Sequence, residues 1–274
     1  MALLEVSGLH LSLHDRSAGP AKSRRVDILK GIDLVLEAGQ SLGVVGESGS
    51  GKTSLGRAIL RLYAPTAGRV AFEGQDIARL DRAGLRALRA DMQMIFQDPM
   101  SSLNPRRSIG AILAQPLVVH RKVPDRRSAE ARVSELLALV DLPASFATRY
   151  PHELSGGQRQ RVGIARALAL EPKLVVADEI VSGLDVSTRA QILSLLRELR
   201  RRLDLSLIFI SHDLSVVRVL CDRVLVLLDG EVVEEGPCEA VFRNPRHDYT
   251  RRLLEAVPLP VVDPHWIEAA ALDH

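Results

Sequence analysis

Cysteine is scarce: the 274-residue chain holds two, Cys221 and Cys238, with no CxxC pair or Cys/His cluster beside either. That scarcity disfavours a structural zinc or iron–sulfur site and leaves two small buried thiols as the expectation. Long apolar runs are missing too. The densest, such as Val224–Leu228, fall far short of the ~18 to 20 consecutive apolar residues that a bilayer span requires, so the chain is expected not to cross a membrane by itself. Met1-Ala2-Leu3-Leu4-Glu5 shows no basic leader ahead of an apolar stretch, which predicts no export signal and a cytoplasmic address. Neither sign of charge is in excess. Lys and Arg total 36 against 34 Asp and Glu, and a net charge of +2 is too small for binding driven by bulk attraction to nucleic acid or anionic lipid. What remains is a 46% hydrophobic, 26% charged chain, with no internal repeat or low-complexity block and length for one large or two small folded domains.

Short strand patterns at Leu3–Val6 and Ile32–Leu36 flank a polar stretch, Asp15–Arg25, expected to be a surface hairpin loop. Ser41–Val45 is a short apolar run ending at glycine, and Leu55, Ala58, Ile59 and Leu62 then follow helical spacing. A strand pair is expected within 69–76, a basic helix over Arg79–Arg89 and a strand at Met92–Phe96. Between Asp98 and Glu171 the pattern turns helical, with amphipathic segments at Ile109–Val119 and Ala129–Val140 separated by the basic stretch Arg121–Arg127. Leu174–Ala177 and Leu207–Ile210 are nearly continuous apolar strands joined by a helix over Thr188–Arg202, the alternation that marks a parallel sheet with crossover helices. A hairpin around Asp229-Gly230, a helix over Tyr249–Val257 and a proline-rich tail at Pro258–Pro264 close the chain.

Gly46-Glu47-Ser48-Gly49-Ser50-Gly51-Lys52-Thr53 satisfies G-x-x-x-x-G-K-[ST] between an apolar strand and a helix, the context that phosphate loop requires. Its glycines let backbone N–H groups converge on phosphate oxygens while the helix offers its positive end. Lys52 is the expected partner of the β and γ phosphates, and Thr53, followed by Ser54, supplies a hydroxyl to Mg²⁺. Two carboxylates, Asp178 and Glu179, end the buried strand Leu174–Ala177, at the sheet edge where open α/β sheets bind ligands. Asp178 is expected to serve Mg²⁺, directly or through water, and Glu179 to polarise the attacking water. His212, after Leu207–Ser211, is placed to donate to a γ-phosphate, and Gln97, after Met94–Phe96, to reach metal or water with a neutral amide. Leu154-Ser155-Gly156-Gly157-Gln158 opens a helix and reads as a second helix-start anion site. Two such cradles in one chain suit a head-to-tail pair, each cradle serving a different nucleotide.

On these residues the chain resembles the ATP-binding cassette (ABC) ATPases. The phosphate loop, Gln97, the Leu154–Gln158 signature, Asp178-Glu179, Ser182-Gly183-Leu184-Asp185 and His212 stand in that family's order and spacing over about Leu4 to Val257. The resemblance implies an α/β fold: a P-loop NTPase ATPase domain with a mixed or parallel sheet core, an N-terminal antiparallel β region and an inserted α-helical subdomain. It divides the chain into an ATPase domain at 1–245, with core segments 1–97 and 172–245 around a helical subdomain at about 98–171, and a short C-terminal helix and tail at 246–274. Two cassettes would sandwich two ATP molecules, the signature of one facing the phosphate loop of the other. Glu179 then resembles the catalytic base, His212 the γ-phosphate switch, Gln97 the lid that senses nucleotide, and Asp185 the coupling residue across the dimer. Thr53, Gln97 and Asp178 are the implied Mg²⁺ set.

A narrower likeness lies in Gln97–Arg106 and Asn244–Leu254, which are similar to the peptide, opine and nickel uptake branch of ABC importers. That branch implies a second ATPase subunit, identical or related, two membrane permeases received by the helical subdomain, a separate solute-binding protein and a peripheral place on the cytoplasmic face of the membrane; peptide, opine and nickel stay open as cargo. Four departures stand out, one of them the acid Asp248 where the branch often has proline. Ile180-Val181 occupies the place of the branch's usual Pro-Thr, and no aromatic stands where the family stacks adenine, leaving His14 and Val26 as the expected adenine contacts. The cysteine-rich extension of some relatives is absent, so no iron–sulfur cluster is expected. Two rival functions are weighed: a soluble ABC ATPase acting on nucleic acid or ribosomes, motivated by basic clusters such as Arg197–Arg202, and a noncatalytic ATP-binding scaffold. The chain carries neither the long coiled-coil insertion nor the second cassette of the first rival, and intact Glu179 and His212 oppose the second.

Overall fold

A computed structural model describes residues 2–15 and 24–256. In chain order the elements are β1 (Ala2–Asp15), β2 (Arg24–Glu37), β3 (Ser41–Val45), α1 (Lys52–Ile59), β4 (Ala67–Phe72), β5 (Gln75–Asp76), α2 (Arg82–Asp91), β6 (Met92–Ile95), α3 (Pro99–Ser102) and α4 (Ile109–Val119). They continue as α5 (Arg126–Leu139), α6 (Gly156–Leu168), β7 (Leu174–Asp178), α7 (Val186–Leu203), β8 (Ser206–Ile210), α8 (Leu214–Leu220), β9 (Arg223–Leu228), β10 (Glu231–Pro237), α9 (Cys238–Arg243) and α10 (Asp248–Ala256). Backbone contacts cluster into two units, one running to Arg86 and resuming at Ser206, the other from Ala87 to Leu205.

The first unit holds an antiparallel sheet in the order β2-β1-β4-β5. Alternation buries Leu4, Leu9, Leu11, Leu29, Ile32 and Leu36. The β1–β2 ladder is broken by register shifts between Val6 and Leu9 and between Leu11 and Ser12. The same unit carries β3 between two parallel neighbours, β8 and β9, with β10 antiparallel on β9. β3 and β8 are buried at every residue, which is why both read as unbroken apolar runs rather than alternating ones. The β9–β10 turn places Asp229 and Gly230 at positive φ, as an Asp-Gly hairpin turn requires.

In the second unit β6 and β7 pair in parallel, Met92 with Leu174 through Ile95 with Ala177, and the Lys173 N–H extends the ladder onto the Asp91 carbonyl. Helices α3 to α7 belong here. Asp125, Ser108 and Asp185 accept from the first-turn N–H groups of α5, α4 and α7 respectively, which fixes where those helices begin. The Asp125 cap starts α5 at Arg126, ahead of the Ala129 start that apolar spacing gave. α8 and α9, absent from the sequence reading, are helices of seven and six residues, too short for two turns of apolar repeat to show. The expected loop over Asp15–Arg25 and the tail at Pro258–Pro264 lie largely or wholly outside the described residues. Among the described residues no helix is long and apolar enough to cross a membrane.

Candidate functional site

In the first unit the phosphate loop runs from the buried end of β3 into α1. Gly46 has φ +149°, and a Cβ there would stand 2.1 Å from the Leu227 carbonyl oxygen, so no larger residue fits without moving β9. The loop's far side is tied to the β9–β10 turn, where the Gly230 N–H donates to the Ser50 carbonyl at 3.0 Å. Gly51 caps α1 with no side-chain acceptor, leaving the first-turn N–H groups and the helix dipole for an anion. The buried Lys52 ammonium folds back over the loop, donating to the carbonyls of Gly46 at 2.8 Å and Glu47 at 2.7 Å. Its charge is thus carried inward to where phosphate oxygens would gather. The Ser211 N–H donates to the Val44 carbonyl, so β8 delivers the exposed His212 to the same carboxyl-terminal edge from which the loop springs.

One further contact in this unit joins residues far apart in the chain. Tyr249, on α10, accepts a 2.8 Å hydrogen bond from the Glu47 N–H. The partners are 202 positions apart, so no local sequence pattern links them.

His14 and Val26 are also in this unit, but the register sets Leu13 opposite Val26 and His14 opposite Arg25. Paired residues share a face and neighbours alternate, so His14 and Val26 lie on opposite faces of the ladder.

The second unit assembles the carboxylates. Because Ile95 pairs with Ala177, Gln97 and Glu179 emerge two residues further on at the same level, and the Gln97 Nε2 donates to the Glu179 Oε2 at 3.1 Å. Asp178 is 2% exposed at the last position of β7. Glu179 has φ +48°, and its carbonyl accepts from both the Ser182 N–H at 3.1 Å and the Ser182 hydroxyl at 2.8 Å. Ile180 and Val181, the departure from Pro-Thr, are both buried, and the turn forms with its carboxylate bonded to Gln97.

The signature opens α6 through a reciprocal cap: the Ser155 hydroxyl accepts from the Gln158 N–H and the Gln158 amide oxygen accepts from the Ser155 N–H at 3.0 Å. Gly157 lies so close to α7 that a Cβ would fall 2.5 Å from the Thr188 Cγ2. A cleft of about 330 Å³ joins three of the predicted segments, with Gln97, Asp98, Gly156, Gln160, Ser182 and Leu184 on its walls. Asp185 has a local task. Its carboxylate accepts from the Thr188 N–H, the Thr188 hydroxyl and the Ser187 hydroxyl, and these donors, the Thr188 N–H first, hold its pKa down at about 2.

The donors expected to hold Mg²⁺ are a hydroxyl, an amide oxygen and a carboxylate, from Thr53, Gln97 and Asp178. This all-oxygen set with one carboxylate fits an ion that keeps most of its shell for phosphate and water. Among the described residues no cluster of three or more His, Cys, Asp or Glu side chains that could hold a metal ion occurs.

Comparison with known proteins gives two family matches, "ABC transporter" over residues 29–182 and "Oligopeptide/dipeptide transporter, C-terminal region" over residues 233–272. The chain is 48% identical over 267 residues to the oligopeptide transport ATP-binding protein OppF of Escherichia coli, covering 95% of this chain and 79% of that protein. It is also 48% identical to the oligopeptide transport ATP-binding protein AppF of Bacillus subtilis, over 90% of this chain and 74% of that one. Among solved structures, the dimeric post-hydrolysis state of the ATP-binding cassette MJ0796 bound to ADP and Pi superposes with a TM-score of 0.76 at 30% identity, covering 86% of this chain and 98% of that one. CbiO1 of Clostridium perfringens, part of the transporter complex cbiONQ, gives a TM-score of 0.76 at 29% identity over 97% and 99%.

Proposed function

This chain belongs to the ABC transporter family, and from that premise we propose that it hydrolyses ATP to drive uptake of oligopeptides through partner permeases. The proposal assigns Gly46 to Ser54 to the phosphates, with Lys52 releasing the Gly46 and Glu47 carbonyls to neutralise the β and γ groups. Thr53, Asp178 and Gln97 would hold Mg²⁺, which when bound offsets phosphate charge. Glu179 takes a proton from water as its oxygen attacks the γ-phosphorus and the bond to ADP breaks, and His212 donates to the γ-phosphate. The observation that carries the reading is the Gln97–Glu179 hydrogen bond. The one side chain proposed to activate water is gripped by the residue that leads from β6 into the helical segment.

The dimeric MJ0796 cassette bound to ADP and Pi supports a second ATPase subunit, identical or related, whose Leu154–Gln158 signature closes over this chain's phosphate loop, with Asp185 next to the junction. The named relatives support two permease partners and a peripheral place on the cytoplasmic face of the membrane, supplied with cargo by a separate binding protein. Within this division of labour 98–171 serves as the helical subdomain that receives the permease and 246–274 as a C-terminal appendage to the ATPase domain at 1–245.

The test is steady-state ATPase activity of the chain with and without membrane-embedded permeases. Permease-stimulated turnover is expected, and Glu179→Gln should reduce it by ~10² to 10⁴. Turnover that responds to DNA or ribosomes instead, or that persists in Glu179→Gln, would overturn the reading.

A further inference from the structure

We propose that Tyr249 is a positioning residue of the phosphate loop, through which the C-terminal region sets the affinity for nucleotide. The backbone of Glu47 is engaged on both sides: its N–H donates to the Tyr249 hydroxyl oxygen at 2.8 Å and its carbonyl accepts from the Lys52 ammonium at 2.7 Å. When phosphate draws Lys52 away, the carbonyl keeps only the loop's own Ser50 N–H, at 3.2 Å, and the N–H keeps the tie to Tyr249. The Tyr249 bond then ties the loop's second residue to an element outside the loop, and with it the curvature that aims the later N–H groups.

The tyrosine is itself fixed. Its ring is 3% exposed. α10 begins where the Glu234 carboxylate of β10 accepts from the Arg246 N–H at 2.8 Å and the His247 N–H at 3.1 Å, and the Tyr249 N–H donates to His247 Nδ1. The apolar side of the helix, through Leu253 and Leu254, packs with Val45 and Val226 around a void of only about 10 Å³. Val45 is the last residue of β3 and immediately precedes Gly46, so α10 braces the loop at its root as well as at Glu47. Burial pushes the Tyr249 hydroxyl's pKa up, which keeps the oxygen neutral and able to accept at physiological pH. The matched C-terminal family region, 233–272, contains both Glu234 and Tyr249, so the segment that distinguishes this branch reaches into the nucleotide cradle.

This inference rests on the phosphate loop being the nucleotide site, and the experiment separates the two. Binding of a fluorescent ATP analogue to the full chain is measured for wild type, Tyr249→Phe, Leu254→Ala and Lys52→Ala, together with the melting temperature of each. Tyr249→Phe keeps the buried ring and removes the acceptor. It is expected to weaken nucleotide binding about fivefold, ~1 kcal/mol at about 1.4 kcal/mol per tenfold, with a smaller loss of melting temperature than Leu254→Ala, and to raise KM with kcat unaltered. Leu254→Ala is expected to lower the melting temperature with less than a twofold change in affinity. An affinity within twofold of wild type in Tyr249→Phe overturns the proposal. So does a loss of affinity that follows the loss of melting temperature equally in Tyr249→Phe and Leu254→Ala. If Lys52→Ala leaves binding intact, the phosphate-loop reading itself fails. If Lys52→Ala abolishes binding while Tyr249→Phe is silent, only the role of Tyr249 fails.

Discussion

The phosphate loop and the Glu179 turn both follow buried parallel strands, yet they are held by different means. The loop is fixed mainly by backbone: Gly46 against the Leu227 carbonyl, Ser50 against Gly230, and β3 buried along its whole length, with one side chain, the buried Tyr249, bonded to the Glu47 N–H. The Glu179 carboxylate is held by a side-chain amide, Gln97, in a position partly open to solvent, and the signature beside it is capped by the side chains of Ser155 and Gln158. Backbone ties change only when a strand or turn moves, whereas side-chain ties change with a rotamer. Gripping phosphate requires a cradle that stays in shape, and switching hydrolysis on requires a carboxylate that can be released. On the proposed function, the two regions divide those requirements between them.

The sharpest way to break the comparison is Gly46→Ala. The added methyl meets a β9 carbonyl in a backbone region unfavourable to L-residues, so the cradle itself deforms. Overpacking of this kind costs ~1 to 3 kcal/mol, and if that cost falls on the bound geometry nucleotide affinity drops roughly 5- to 140-fold, measurable by equilibrium binding. Affinity equal to wild type would show that the loop tolerates reshaping.

A smaller effect is expected where α6 meets α7. Gly157→Ala places a methyl against the Thr188 Cγ2 and should destabilise the fold by ~1 to 3 kcal/mol in denaturant unfolding. Adding Thr188→Ser removes that methyl while keeping the hydroxyl bonded to Asp185, so the double variant should recover most of the loss. Additive losses would mean that the close approach is not what requires glycine.

The smallest effect concerns the Asp185 cap. Its pKa is depressed, so its contribution to stability is complete above the ordinary carboxylate range near ~4 and is lost as pH falls through that range toward about 2. The difference in melting temperature between wild type and Asp185→Ala should therefore hold steady from neutral pH down to ~5 and shrink at lower pH. A gap that widens on acidification would contradict the cap.

What the sequence could reveal follows from the range of each interaction. β3, β7 and β8 were legible because strands buried on both faces leave runs of apolar residues, and the signature cap because Ser155 and Gln158 are three positions apart. β1 and β2 were seen only in part, at Leu3–Val6 and Ile32–Leu36, since the shifts around Gly8 and Ser12 break the alternation that a strand reading depends on. Opposite faces for His14 and Val26 needed the register, which sequence does not give. Gly157 could be read as part of an anion cradle but not as the point where Thr188 presses in, and the Tyr249–Glu47 bond joins the chain's last described helix to its phosphate loop. Local chemistry was visible, and long-range fixation of that chemistry was not.

The central claim is that grip and chemistry are separable, and equilibrium binding of ATP by Glu179→Gln, set beside its turnover in the permease-bound assembly, tests it most directly. The account predicts a Kd within about twofold of wild type with hydrolysis reduced at least ~10²-fold. A variant that loses ATP affinity in step with hydrolysis would contradict it.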